Sequence, residues 1–254
     1  MLLLLEIIPY VTIFLFGIVV GSFLNVCIYR LPKQESIVKV PSHCMSCGVQ
    51  LRWYDLVPLF SWLILRGRCR RCKAAISIQY PLIEGLNGIL WVFVFIVNGM
   101  NGMSLVYCFM TSALLTLSVI DWRTFEIPFG INVFLGILGL VAVVLDKEEW
   151  LSHIIGAVCV SVFLLLLYVL TQGRAIGGGD IKLMAACGLL IGWQRIILAF
   201  LLGCILGSII HIIRMKVRGE GHILAMGPYL AAGVFLAALF GQEWITWYLS
   251  LLGI

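Results

Sequence analysis

Long apolar runs separated by short polar breaks dominate this chain. Each run is continuous over roughly 20 residues, the length of a bilayer-crossing helix, and none alternates as the strands of a membrane barrel would. The pattern predicts eight helices, near 7–29, 82–99, 103–120, 127–145, 151–170, 181–193, 195–213 and 223–241. The sixth is short enough to pass only part of the bilayer, and the stretch 244–254 either extends the eighth or lies on the surface. One long polar stretch, 30–81, separates the first two helices. The expected architecture is an all-α polytopic membrane protein of about eight transmembrane helices with a small cytoplasmic loop domain. It divides into an N-terminal unit, 1–100 (first helix, loop, second helix), and a six-helix membrane core, 101–254.

Composition agrees with that pattern. The chain is 62% hydrophobic and 11% charged over 254 residues, where a soluble domain carries roughly 25% charged residues. The first segment has no Lys or Arg before Arg30 and no clear small-residue cleavage site, so it reads as a retained span and not as a signal peptide. Basic residues collect in 30–73 and at Arg123, Arg174, Lys182, Arg214, Lys216 and Arg218, whereas the opposite loops hold Lys147 and Arg195 beside Asp146, Glu148 and Glu149. The positive-inside rule puts the loop and the 123, 174 and 214–218 turns in the cytoplasm, with both termini outside. Arg66, Arg68, Arg70 and Arg71 form a juxtamembrane basic cluster suited to anionic lipid, so the expected partner there is membrane lipid and not nucleic acid.

The loop is too small for a large core and needs a staple. Cys44-Met45-Ser46-Cys47 and Cys69-Arg70-Arg71-Cys72 supply one candidate: two Cys-x-x-Cys turns at the spacing of a closed four-cysteine zinc site. Two disulfides are the rival reading, disfavoured on the reducing side of a membrane. The other cysteines, Cys27, Cys108, Cys159, Cys187 and Cys204, lie in apolar runs and read as packing residues.

Two aspartates stand where apolar helices meet polar turns: Asp121 at the end of the third helix, and Asp180 at the start of the sixth, after Gly177-Gly178-Gly179. Taken singly, each has a plain explanation. Asp121 could pair with Arg123, and Asp180 could be a helix N-cap. Carboxylates near hydrocarbon are costly, however, and both fall on the same membrane face. The glycines, which let backbones approach closely, favour a working pair with Gly177 and Gly179 supporting it. Two such groups can share a proton and split a peptide bond with water.

At these residues the chain resembles the type IV prepilin peptidases, membrane aspartyl proteases with a Gly-x-Gly-Asp signature. The similarity runs through Gly21-Ser22-Phe23-Leu24-Asn25, Tyr29-Arg30-Leu31-Pro32, both cysteine pairs, Trp53-Tyr54-Asp55, Pro58, Ser61-Trp62, Arg66-Gly67-Arg68-Cys69, Tyr80-Pro81 and Glu84. It continues with Asp121, Arg123 and Ile127-Pro128, then Gly177-Gly178-Gly179-Asp180 with Lys182-Leu183, and Gly227-Pro228-Tyr229-Leu230. Met45, Leu56-Val57 and Met226 stand where the family often has Pro, Asn-Ile and Phe.

The resemblance implies an enzyme that removes the basic leader from prepilins or pseudopilins at the cytoplasmic face, with Asp121 and Asp180 as the catalytic pair. It also implies N-methylation of the new amine with S-adenosylmethionine. That activity rests on the resemblance alone, since no glycine-rich nucleotide fingerprint is present. The N-terminal unit, with the zinc loop as scaffold and Glu84 on the methyl-donor side, is its expected place. Glu84, Glu126 and Asp55 are candidate contacts for leader cations. A transporter with ion-binding aspartates, or a scaffold with a structural zinc loop, is the competing class. The absence of repeated halves speaks against the former, and the triple glycine against the latter.

Overall fold

The computed structural model describes residues 2–174, 176–218 and 224–253. Among them the chain forms α1 (Leu2–Arg30), α2 (Phe60–Ile64), α3 (Gln79–Asn98), α4 (Gly102–Thr124), α5 (Phe129–Leu145), α6 (Trp150–Leu170), α7 (Gly178–Ile191), α8 (Trp193–Arg218) and α9 (Gly227–Leu251). Strand pairing among these residues is limited to two isolated bridges in the loop. The all-α reading therefore holds.

Six helices (α1, α3, α4, α6, α8 and α9) are long and apolar enough to cross a membrane. The other two predicted spans are shorter: α5 has 17 residues and α7 has 14. At 1.5 Å per residue α7 is about 21 Å long, against a hydrocarbon core of about 30 Å. Several predicted ends shift, the first helix starting at Leu2 and the seventh running on to Arg218 among them. The third helix runs to Thr124, placing Asp121 in its last turn instead of at its end. The sixth begins at Gly178. The last continues to Leu251, so residues 244–251 extend it. Its expected start, 223, lies outside the described residues.

The chain separates into two compact units, Met1–Gly99 and Met100–Ile254. In the first, α1 packs against α3. Apolar helices in lipid gain little from hydrophobic burial and associate through close packing and hydrogen bonds. Gly17 and Gly21 provide the approach: a Cβ built on Gly21 would lie 2.7 Å from the Glu84 Cα, and one on Gly17 2.7 Å from the Gly88 Cα. The Asn87 amide donates to the Gly17 carbonyl at 2.7 Å, and the fully buried Asn25 amide donates to the Tyr80 carbonyl at 3.2 Å.

In the second unit α4 packs against α5 and α9, α7 against α5 and α6, and α8 against α9 and α6. The buried stripe of α5 contains Asn132, Leu135, Gly139 and Ala142, at helical spacing. Gly156 of α6 and Gly188 of α7 meet backbone to backbone, so that a Cβ on Gly188 would overlap the Gly156 carbonyl oxygen. A helix as short as α7 leaves orphan carbonyls that need partners in an apolar medium. The Gly192 N–H serves Gly188 at 3.0 Å, and the buried His153 ring donates through Nδ1 to Leu189 at 2.9 Å.

Gly188→Ala should therefore lower the melting temperature of the detergent-solubilised protein by several degrees, an overpacking cost of about 1–3 kcal/mol. Gly130→Ala, with nothing within 4 Å of the added carbon, should shift it by much less. Differential scanning fluorimetry of the two variants checks the contrast.

Candidate functional site

Asp121 and Asp180 come together in the second unit, within electrostatic reach of one another. Different helices hold them. Asp121 is 5% exposed on the last turn of α4, and its Oδ2 accepts the Gly227 N–H at 2.9 Å. Gly227 is the first residue of α9, so one of that helix's unpaired N–H groups is directed at the carboxylate. Asp180 is in the first turn of α7, whose N-cap is Gly177. It occupies the third helical position and is not the cap itself, and its carboxylate takes a hydrogen bond from the Gly177 backbone. This is the backward reach of a capping box. Each carboxylate thus faces the positive end of a helix.

The glycines have separable tasks. A Cβ on Gly179 would lie 3.1 Å from the Ile127 Cβ, so this position lets the turn between α4 and α5 close on the start of α7. A Cβ on Gly177 would stand 3.2 Å from Asp180 Oδ2. Gly178 has nothing within 4 Å, and no steric reason for it emerges. Gly227 matters more than sequence reasoning foresaw. A Cβ there would lie 2.7 Å from Asp121 Oδ2 and 3.0 Å from Leu117 Cδ1. The available signal was the Gly227-Pro228 pair opening a helix, since proline needs no N–H in the first turn.

Cations stacked on aromatic rings flank the aspartates. Lys182 Nζ lies 5.4 Å from the Phe129 ring centre, and Arg214 Cζ 4.4 Å from that of Trp122. Both contacts tie neighbouring helices together, α7 to α5 and α8 to α4. Glu126, a candidate for leader cations, is exposed between Asp121 and α5.

The first unit carries the cysteine cluster. The Sγ atoms of Cys44, Cys47, Cys69 and Cys72 all lie within 4.8 Å of one another, with 3.8 Å between Cys44 and Cys72. Four sulfurs about 2.3 Å from a tetrahedral zinc would be about 3.8 Å apart. The set therefore fits such an ion, and all four cysteines are free of disulfides. The two turns repeat each other. Cys44 N–H donates to Val49 O at 2.9 Å and Gly48 N–H to Cys44 O at 2.8 Å; Cys69 N–H donates to Ala74 O at 2.8 Å and Lys73 N–H to Cys69 O at 3.0 Å. The residue after each second cysteine takes a left-handed backbone, Gly48 at φ 68° and Lys73 at φ 61°. The backbone N–H groups of Cys47 and Ser46 pull the Cys44 thiol down to about 6, while desolvation and the neighbouring thiols push that of Cys72 up to about 11.

Asp55 and Glu84 are engaged inside this unit. Asp55 pairs with Arg70 at 2.8 Å, so Arg70 braces the loop segment 53–55 against the second turn. Glu84 is buried and accepts the Leu59 N–H at 2.8 Å, with Ser22 as a further side-chain partner. Leu59 has φ 61° and ψ −54°, and the Phe60 N–H closes onto the Pro58 carbonyl at 2.6 Å. That is a γ-turn of the strained positive-φ kind. Neither carboxylate is a freely solvated acid awaiting a leader cation. Of the remaining cysteines, Cys27, Cys108 and Cys187 are buried and Cys159 and Cys204 half-buried, as packing residues would be.

Two domain families match the chain: the Bacterial Peptidase A24 N-terminal domain over residues 15–98, and the Type IV leader peptidase family over residues 108–212. Relatives named prepilin leader peptidase/N-methyltransferase are similar over almost the whole length. That of Aeromonas salmonicida (strain A449) is 32% identical over 270 residues, covering 94% of this chain and 93% of the relative. That of Pseudomonas putida is 33% identical over 267 residues, covering 93% and 92%. That of Legionella pneumophila is 30% identical over 276 residues, covering 95% and 94%. No solved structure matches the chain.

The four sulfurs should take one tetrahedral divalent ion. Protein loaded with Co2+ is expected to absorb in the sulfur-to-metal charge-transfer region and in the visible d–d bands of tetrahedral cobalt. Cys69→Ser should weaken both, as an absorption titration would show.

Proposed function

The chain belongs to the type IV prepilin leader peptidase/N-methyltransferase family, and on that premise we propose that it cuts the leader from prepilins or pseudopilins with Asp121 and Asp180 as an aspartyl pair. The observation that carries this reading is the convergence of two carboxylates from different helices, each held by backbone N–H groups at a helix start. Structural caps would not need to meet.

One carboxylate takes a proton from a water molecule as its oxygen attacks the scissile carbonyl carbon. The other, protonated, gives its proton to the carbonyl oxygen. The resulting tetrahedral diol collapses, the carbon–nitrogen bond breaks, and a proton passes to the departing amine. Two carboxylates at close range do not both ionise cheaply, so the pair holds one proton between them and titrates as a unit. Positioned acid and base groups each contribute about 10²–10⁴ in rate.

The enzyme is a multi-pass inner-membrane protein, and the proposed orientation puts the aspartates and the cysteine loop on the cytoplasmic side. The substrate's apolar segment lies along the membrane helices while its basic leader stays in the cytosol, with the exposed Glu126 as a contact for leader cations. Residues 101–254 form the peptidase part and 1–100 the part serving methylation. Zinc held by Cys44, Cys47, Cys69 and Cys72 is proposed to fix the fold of the loop. S-adenosylmethionine, when bound, would supply a methyl group to the new N-terminal amine. Glu84 is turned to Leu59 and Ser22, so its part in methylation is to shape the 53–60 segment.

Asp121→Asn and Asp180→Asn should each reduce leader cleavage of a prepilin in detergent by at least about 10³-fold, with normal amounts of protein in the membrane fraction. Cleavage by either variant at the parental rate would reject the pair. Gly227→Ala should slow cleavage while sparing metal content, because its added carbon displaces the Asp121 carboxylate. Gel-shift assays of leader removal beside metal analysis separate these effects.

A further inference from the structure

One buried polar group of the second unit has no role in the fold just described. Asn132, on α5, is 6% exposed, yet neither its Nδ2 nor its Oδ1 has a hydrogen-bond partner among the described residues. Native proteins leave few such groups, and an unpaired carboxamide in an apolar interior is costly, so each calls for an explanation. Tyr229 also has an unpartnered buried hydroxyl, but its ring packs against Gly207 of α8. Asn132 lies on the helix between those of the two aspartates, since α5 packs on both α4 and α7.

Its depth can be read from two fixed contacts. Ile127, just before α5, touches Gly179 at the start of α7, and Gly139 of α5 touches Leu189 near the other end of α7. The two helices therefore run alongside in the same direction. Asn132 shares the buried stripe of Gly139, one heptad earlier, and lies between the two contacts. This puts it about one helical turn, or roughly 5 Å, deeper into the bundle than Asp180.

We propose that Asn132 is a substrate-binding residue that pairs with the main chain of the substrate just beyond the cut, on the side of its apolar segment. The inference rests on the peptidase reading above. A peptide bond inside a helix has its carbonyl tied to a later N–H, so the segment around the cut must open before a diad of carboxylates can reach it. Opening frees N–H and C=O groups in a region with little water, where each needs a partner. A carboxamide presents both a donor and an acceptor, as a peptide group does, and can take both. Depth fixes which side it serves: with the leader in the cytosol and the apolar segment in the membrane, residues after the cut lie deeper than the carboxylates.

The test uses the full-length protein in detergent with a prepilin peptide. A second set of peptides carries an ester in place of the amide at the second, third or fourth residue after the cut. Asn132→Leu should lower kcat/KM about tenfold to a hundredfold, the rate equivalent of one or two lost hydrogen bonds. Its melting temperature should be unchanged or higher, because an unpaired polar group has been removed. One ester position should cost the parent enzyme about tenfold and cost Asn132→Leu nothing further. Full activity of Asn132→Leu beside an inactive Asp121→Asn would overturn this inference alone. So would a loss that tracks a lowered melting temperature while every ester costs both enzymes equally. Activity in Asp121→Asn would overturn the peptidase reading, and the inference with it.

Discussion

The hydrogen bond from the Gly227 N–H to Asp121 is the contact on which the second unit's site depends. A carboxylate inside an apolar helix bundle needs donors, and a helix interior has none to spare. Helix starts do, because their first N–H groups have no partner in the helix. The fold uses α9 for Asp121 and α7 for Asp180. Bringing two helix starts to one place requires glycine at the contact points, since at Gly227 a Cβ would occupy the space of the carboxylate itself. A hydrogen bond to a charged group contributes about 1.5–3 kcal/mol, and leaving such a group buried without one costs more.

The same logic explains why α7 can be so short. At its start Gly177 and Asp180 bond to each other, and in its last turn the carbonyls of Gly188 and Leu189 are met by the Gly192 N–H and the His153 ring. Between these ends, the Gly156–Gly188 contact locks α7 to α6 backbone to backbone. Close packing of this kind replaces the hydrophobic drive that lipid removes. The result is a short helix packed against α5 and α6, with Asp180 at its first turn.

The first unit solves a different problem, a polar loop too small to bury a core. It gathers metal-ligating groups in place of burying a core: two like turns bring four sulfurs together, each ending in a left-handed residue. The strained turn at Leu59 persists because Glu84, anchored in α3, holds its N–H. Asn25, Asn87 and Glu84 are all buried, and their hydrogen bonds supply specificity where apolar helices alone could slide.

Much of this was legible beforehand. The length and continuity of apolar runs determine helices and membrane class, because lipid admits no unpaired backbone. The Cys-x-x-Cys pairs determine a four-sulfur cluster, because tight turns and matched spacing leave few other arrangements. Asp121 and Asp180 stood out because charge is costly where they lie. The reason for each glycine was not legible, nor was the engagement of Asp55 and Glu84, nor the orphan amide of Asn132. Those depend on which atoms stand opposite one another across helices distant in sequence. Gly227 and Asp121 are 106 residues apart, and no local pattern encodes their contact. Sequence by itself determined what kinds of helices form and which groups are chemically expensive; only tertiary structure decided who satisfies them, because hydrogen bonding and steric exclusion act at a few ångströms in space, whatever the separation along the chain.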